Sequence, residues 1–313
     1  MKTRQLGKDG PDISVIGLGA WPIGGGMGGL DEAVSIATVR ASIDSGITLL
    51  DTAQAYRTSE STLGKALSDG YRERCFLATK VSRDYSPDAV RSAMDDSLKA
   101  LNVDYVDLYQ VHSWNTEYPI DATMETMARL QEEGKTRYIG ISNFNAEEME
   151  QAYGTAPFHG SQPRYNMVDR KIETEDLPYC EQRGIGNLVH SPLGKGLLTG
   201  KYSAGHVFPE DDERSRFPRF QGELFTKYCE LTGRLSEVAA DIELTMVQLA
   251  IAWCLRQKAV STVLVGAKTP EQAVDYLPAA EAELDAETLK RIDVILEDTP
   301  AESRVKGRST CAF

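Results

Sequence analysis

Short apolar runs alternate with amphipathic stretches along almost the whole chain. The runs are Val15–Gly19, Ile47–Leu50, Cys75–Lys80, Tyr105–His112, Arg137–Asn143, Gly160–Tyr165, Gly186–His190 and Ser261–Val265. Runs of this length, flanked by helix-period segments, read as buried strands. The intervening segments carry apolar residues at helical spacing. Asp31 to Ser45 places Ala33, Ile36, Ala37 and Ile43 in such a pattern and stops at Gly46. Ser86-Pro87 opens another helix with proline in its first turn, running to about Leu101. Further helices are expected over Ser59–Leu67, Ala122–Glu133, Ala146–Tyr153, Asp176–Arg183, Leu224–Ala240, Met246–Arg256 and Pro270–Leu277. Repeated strand–helix alternation gives a parallel sheet, because each helix carries the chain back to start the next strand. Eight such units with no linker between them predict an α/β fold, a closed (β/α)8 TIM barrel. Residues 3–6 and 12–16 form a hairpin around the turn cluster Asp9-Gly10-Pro11-Asp12. Ala286–Leu296 is an extra C-terminal helix, and residues 194–222 are a long Gly-, Pro- and charge-rich loop.

Composition narrows the picture without redirecting it. A chain of 313 residues with 41% hydrophobic content buries a large core. Barrels of this size run as one domain, expected here over residues 1–313. The net charge of −13 argues against nucleic acid or an anionic membrane surface as partner. No apolar run reaches 18 residues, and none follows Met1-Lys2-Thr3-Arg4-Gln5, so neither a membrane span nor a signal peptide is expected. The five cysteines are odd in number, scattered and without metal-binding spacing. That pattern fits reduced thiols and a cytoplasmic location.

Gly24-Gly25-Gly26-Met27-Gly28-Gly29 satisfies the dinucleotide-binding pattern G-x-G-x-x-G literally. The strand before it ends at about Gly19, however, and Trp21-Pro22 intervenes, so these glycines do not form the tight first turn that pattern requires. A loop over the barrel mouth is the better reading.

All strand C-termini of a barrel face one mouth. Asp51, Lys80 and His112 stand at three successive strand ends, with Tyr56 just beyond Asp51. Singly, each has an ordinary packing or solvation explanation. Together they make a proton-transfer device. A phenol titrates near pH 10 and is a weak acid at neutrality, but a nearby ammonium stabilises its phenolate. A carboxylate holds that ammonium in place and offsets the cost of burying it. A histidine beside the phenol orients a substrate oxygen or assists the proton step. The set has no nucleophile and too few ligands for a metal; a redox cofactor would supply the missing chemistry.

Asp51-Thr52-Ala53-x-x-Tyr56, Ala78-Thr79-Lys80 and Gln110-Val111-His112 closely resemble the catalytic tetrad segments of the aldo-keto reductase superfamily. Gly17-Leu18-Gly19-Ala20-Trp21, Ser59-Glu60-x-x-Leu63-Gly64, Gly140-Ile141-Ser142-Asn143-Phe144, Gln162-x-x-Tyr165-Asn166, Ser191-Pro192-Leu193 and Val265-Gly266-Ala267-Lys268 follow in that family's order. The resemblance spans about residues 3 to 277, on the bacterial-type branch similar to channel β-subunit-like members. It implies an NAD(P)H-dependent oxidoreductase that reduces aldehydes or ketones, or oxidises sugars or alcohols. Tyr56 would be the general acid, Lys80 and Asp51 would tune it, and His112 would position the carbonyl oxygen. A slow-turnover regulatory subunit that binds the same cofactor is the alternative.

The resemblance also implies where the cofactor lies. Ser142, Asn143 and Gln162 correspond to residues that bind the nicotinamide carboxamide, and uncharged donors and acceptors suit an amide. Ser191, Leu193, Gly196 and Lys201, with Lys195, lie in the segment that closes over the pyrophosphate. Gly266, Lys268, Thr269 and Gln272 fall where the adenosine phosphate binds. His190 stands where the family commonly stacks an aromatic ring on the nicotinamide. Tyr276 replaces an asparagine near the adenine, and Gln272 replaces an arginine that some branches use for the 2′-phosphate. NADPH is expected over NADH on the charge of Lys268, helped by Arg304, Lys306 or Arg308 from a tail over about 299–313. Trp21 and Trp114, with Tyr56, His112 and then Tyr85 or Met27, are expected around a small carbonyl or sugar substrate. No metal is expected. The oligomeric state is not legible.

Overall fold

The computed structural model describes residues 1–25, 28–210 and 212–300. The hairpin is formed by β1 (Thr3–Gln5) and β2 (Asp12–Ser14), paired antiparallel. Eight parallel strands follow: β3 (Ile16–Gly19), β4 (Leu49–Asp51), β5 (Phe76–Val81), β6 (Val106–Val111), β7 (Thr136–Ser142), β8 (Gly160–Gln162), β9 (Gly186–His190) and β10 (Val260–Val265). Each pairs with its neighbours in sequence, and β10 pairs with β3, closing the barrel. The helices are α1 (Glu32–Asp44), α2 (Ser59–Ala66), α3 (Pro87–Leu101), α4 (Ile120–Glu132), α5 (Ala146–Thr155), α6 (Asp176–Arg183), α7 (Gly222–Asp241), α8 (Met246–Leu255), α9 (Pro270–Asp275), α10 (Pro278–Glu281) and α11 (Ala286–Leu296). The extra C-terminal helix α11 packs on α7.

Local chemistry sets the boundaries. Asp31 caps α1 by accepting from the backbone of Ala33 and Val34. α3 ends at Asn102, which adopts the left-handed conformation. β4 begins two residues later than the apolar run. The Thr48 and Leu49 amides donate to the Ser14 hydroxyl at 3.0 and 3.3 Å, which ties β4 to the hairpin. β8 stops at Gln162 because Pro163 has no N–H to continue the ladder. The helix expected over Pro270–Leu277 ends at Asp275, and a separate short helix begins at Pro278.

Strand side chains alternate between two environments. One set packs under the helices: Val81, Tyr109, Val111, Ile139, Ile141 and Val189 belong to the large outer core. The other set fills the barrel: Leu49, Ala78, Leu108, Leu188 and Leu264 cluster with Phe76 and with Leu6 and Ile13 from the hairpin. The hairpin thus stoppers the N-terminal end. Full burial of each of these leucines is worth roughly 1.5–3 kcal/mol relative to exposure. The long loop has a small core of its own, in which Phe208, Phe220 and Leu197 pack on Phe225 and Tyr228 of α7. Among the described residues no single helix is long and apolar enough to cross a membrane.

Candidate active site

The inward-facing set changes character at the C-terminal end of the barrel. On β5, Lys80 follows Ala78 two residues on; on β6, Gln110 and then His112 follow Leu108; on β4, Asp51 follows Leu49. Period-two alternation therefore lays a polar layer directly on the apolar one. Lys80 is fully buried in it. Its ammonium donates to Asp51 Oδ2 at 2.6 Å and to the Thr52 carbonyl at 2.8 Å, and lies 3.5 Å from the Tyr56 hydroxyl. Burial pushes the Lys80 ammonium down from its ordinary value, while Asp51 and then Glu60 push it back up. The other oxygen of Asp51 accepts from Gln162 Nε2 at 2.8 Å and from Gln110 Nε2 at 3.3 Å. The carboxylate is thus hydrogen-bonded on both oxygens, as a buried charge must be.

Tyr56 is fixed by its surroundings. Trp21 packs edge-on at 5.0 Å between ring centroids and His112 at 5.5 Å. From below, Gly24 lies against its backbone: a Cβ there would sit 2.0 Å from the Tyr56 carbonyl oxygen. The first glycine of the Gly-rich run is thus a close-packing position that locates the tyrosine. Gly26 and Met27 lie outside the described residues. His112 is buried, with Nδ1 2.7 Å from the Ser82 hydroxyl. Burial, reinforced by Lys80 and His190, holds the His112 imidazole well below its ordinary range, so it is neutral at pH 7. This contact accommodates the tautomer in which Ser82 donates to Nδ1 and the ring proton is on Nε2.

A second chain of hydrogen bonds runs beside the first. His190 Nε2 lies 2.8 Å from Asn143 Oδ1, and its Nδ1 lies 2.9 Å from the Ser191 hydroxyl. Asn143 Nδ2 donates to the His112 carbonyl at 3.1 Å. Asn143 and Ser191 both hold positive φ, near +60°. Burial, with Arg164 and Lys80 adding to it, pushes the His190 imidazole down to about 3.

A cleft of about 490 Å³ opens over these groups. Asp51, Tyr56, His112 and Trp21 line its inner end, with Ser142, Asn143, Gln162 and His190 beside them. Ser191, Leu193, Lys195, Gly196 and Lys201 form its middle wall. Gly266, Lys268, Gln272 and Tyr276 line the far end. Four expected residues are not in the lining, one of them Tyr85, which is buried with its hydroxyl 3.1 Å from that of Ser113 and its ring edge-on to Tyr118. Lys80 lies beneath it. Trp114 turns aside to pack edge-on against Phe144, at 5.3 Å. Thr269 caps α9, accepting from the Gln272 amide. Gln272 in turn accepts from the Lys268 amide at 2.9 Å, and the Tyr276 hydroxyl donates to the Gly266 carbonyl at 2.8 Å. Arg304, Lys306 and Arg308 lie outside the described residues.

The structure adds residues that the sequence did not single out. Arg164, Glu213 and Arg214 line the cleft. Arg214 donates to Asp212 Oδ1 at 2.9 Å and to the Tyr202 hydroxyl at 2.6 Å, while Lys195 pairs with Glu213 at 2.7 Å. Partial burial, then Arg214 and Lys201, push the Lys268 ammonium down, so these three cations share one region of the cleft. Gln110 and Ser82 are the hidden partners of Asp51 and His112. Among the described residues no group of three or more His, Cys, Asp or Glu side chains is placed to hold a metal ion.

The family model described as the aldo/keto reductase family matches residues 15–297. The chain belongs to the aldo/keto reductase family. Aldo-keto reductase YhdN of Bacillus subtilis is 39% identical, over 96% of this chain and 95% of its own length. A probable aldo-keto reductase of Glycine max is 35% identical over 81% of this chain and 77% of its own. Among solved structures, a glycerol dehydrogenase from Gluconobacter oxydans superposes with a TM-score of 0.88 at 33% identity, covering 97% of this chain and 98% of that one. This aldo/keto reductase is an oxidoreductase of the carbonyl/alcohol class, and its family uses nicotinamide cofactors.

Proposed function

We propose that this aldo/keto reductase reduces aldehydes or ketones with NADPH, and oxidises the corresponding alcohols or sugars in reverse, with Tyr56 as the general acid and base. The observation that carries the proposal is the Lys80 ammonium, buried 2.6 Å from Asp51 and 3.5 Å from the Tyr56 hydroxyl at the floor of the cleft. When bound, the nicotinamide group supplies the hydride. As negative charge develops on the carbonyl oxygen, Tyr56 delivers its hydroxyl proton there. The phenolate left behind faces the Lys80 ammonium, which Asp51 holds in place. His112, neutral and protonated on Nε2, donates a hydrogen bond to the same carbonyl oxygen and orients it. Trp21 supplies an apolar wall and excludes water.

The donor set fits a nicotinamide dinucleotide along its length. Uncharged Ser142, Asn143 and Gln162 suit the carboxamide, with His190 beside the ring. Gly194 and Gly196 have positive φ in the turn that would approach the pyrophosphate. Lys268, Lys201 and Arg214 share one region of the cleft, and a 2′-phosphate is the group that needs such charge. The 31%-identical relative from Schizosaccharomyces pombe, whose name carries NADP(+), supports the same choice. The name of the Gluconobacter oxydans structure supports placing small polyols and their carbonyl products in the first substrate screen.

The test is steady-state oxidation of NADPH and NADH, in parallel, against a panel of aldehydes, ketones and sugars. The expected result is turnover on at least one class with the lower KM for NADPH. No turnover on any class, together with no cofactor binding by fluorescence titration, would overturn the proposal.

A further inference from the structure

Gln110 has no assigned role, yet it lies at the junction of the two halves of the site. It is fully buried and does not reach the cleft wall, so any effect it has is exerted through other side chains. Its position is set by register. In the β5–β6 ladder Gln110 stands opposite Lys80, and in the β6–β7 ladder it stands opposite Gly140. The missing side chain of Gly140 leaves the space for it: a Cβ there would lie 3.2 Å from Gln110 Cγ and 2.8 Å from the Gly160 carbonyl oxygen.

The hydrogen bonds of this cluster have one consistent direction, and Asp51 sets it. An ionised carboxylate only accepts, so each glutamine facing it must present its NH₂ group. Gln110 Nε2 lies 3.3 Å and Gln162 Nε2 2.8 Å from the same oxygen, Asp51 Oδ1. With its Nε2 turned to Asp51, Gln110 offers its oxygen to Gln162, whose Nε2 donates to it at 3.1 Å. Both hydrogens of Gln162 Nε2 are therefore committed, one to Asp51 and one to Gln110. What Gln162 has left to present to the cleft is its carbonyl oxygen, an acceptor.

We propose that Gln110 is a positioning residue that, by taking the Gln162 hydrogen left over from Asp51, leaves only the Gln162 amide oxygen facing the cleft, so that the site selects a cofactor whose carboxamide donates an N–H. The inference rests on the nicotinamide reading of the cleft given above. Its consequence is a coupling between the two halves of the site. The carboxylate that holds Lys80 under Tyr56 also dictates, through Gln110 and Gln162, which end of the cofactor amide is recognised.

The test is a binding measurement. Dissociation constants are measured by fluorescence quenching for NADP⁺, for its 3-acetylpyridine analogue, which replaces the carboxamide NH₂ by a methyl group, and for adenosine 2′,5′-bisphosphate. Wild type is compared with Gln110→Met, which keeps length and volume, and with Gln110→Leu; thermal melts confirm that each is folded. Wild type should favour NADP⁺ over the acetyl analogue by about tenfold or more, because the analogue leaves the Gln162 oxygen without its donor. In the Gln110 variants Gln162 keeps its bond to Asp51, but its second Nε2 hydrogen loses its acceptor and competes with the oxygen for the cofactor amide, so the ratio should fall to within about threefold. The bisphosphate, which lacks the nicotinamide, should bind all three proteins alike. An unchanged ratio in the folded variants, or no discrimination in wild type, overturns the role of Gln110. Failure of wild type to bind any of the three ligands overturns instead the reading of the cleft, and this proposal with it.

Discussion

Lys80→Met removes the ammonium beneath Tyr56 while keeping its length and most of its volume. A phenolate oxygen 3.5 Å from that ammonium is attracted by about 5 kcal/mol at an effective dielectric constant of roughly 20. Asp51 opposes this. Its carboxylate is 2.6 Å beyond the ammonium; with the three groups in line, about 6 Å from the phenol, it repels a phenolate by about 3 kcal/mol. The pair together stabilises the developing phenolate by about 2 kcal/mol. In the variant the outcome depends on Asp51. If it takes up a proton once its counter-ion is gone, about 2 kcal/mol is lost, roughly a 30-fold fall in rate. If Gln110 and Gln162 keep it ionised, the full attraction of about 5 kcal/mol is lost, a fall of a few thousandfold. The assay is single-turnover reduction of a reactive aldehyde with NADPH saturating, so that binding and product release drop out. The dissociation constant for NADPH should change by less than about threefold, because Lys80 does not line the cleft. Breaking a buried pair costs about 3–5 kcal/mol of stability, so the rate is measured well below the variant's own melting transition. A single-turnover rate within about threefold of wild type would refute the electrostatic argument, since the smaller of the two effects is about ten times larger.

Three further outcomes follow from the geometry. Gly24→Ala places a methyl group against the Tyr56 carbonyl oxygen; it should destabilise the fold by about 1–3 kcal/mol and lower kcat while leaving NADPH affinity in place, and an unchanged kcat would contradict the packing role of this glycine. Lys268→Ala should raise the dissociation constant for NADPH by about tenfold or more and leave that for NADH nearly unchanged; equal changes for both would remove Lys268 from recognition of the 2′-phosphate. His112 and His190 are held neutral in the folded protein, whereas an unfolded histidine takes up a proton near pH 6.5. From about pH 6.5 downward the unfolded state binds more protons, so stability falls with acidification, for His190 until its folded value of about 3. The melting temperature should therefore fall between pH 7 and pH 5 more steeply for wild type than for His190→Phe, and parallel curves would show that His190 does not take part.

Much of this was legible in the chain, for identifiable reasons. The barrel follows from strand and helix periods that the sequence states eight times. Asp51, Lys80 and His112 declare themselves because each ends an apolar run. The less legible residues are those whose roles depend on neighbours across the sheet. Gln110 stands two places before His112 and looks like one more strand residue. Only the register that sets it opposite Lys80 and Gly140 shows that it meets Asp51 and Gln162. Ser82 is the same case: it follows β5 and matters only because His112 ends the adjacent strand. Arg214 and Glu213 lie in a loop without periodicity, and the aromatic cluster that folds this loop against α7 is assembled from residues spread from Phe208 to Tyr228. Trp114 shows the opposite failure. An aromatic residue at a strand end is a reasonable guess for a substrate wall, but Phe144 at the next strand end offers a packing partner. Neither sequence period nor strand position distinguishes those two fates.

The central claim is that Tyr56 moves the proton while the rest of the site holds it ready. Tyr56→Phe removes one oxygen atom and keeps the ring that packs on Trp21 and His112. The decisive measurement is single-turnover carbonyl reduction by this variant, alongside titration with NADPH. The account predicts cofactor affinity within about threefold of wild type and a rate at least about a thousandfold lower. Full turnover with intact cofactor binding would contradict it.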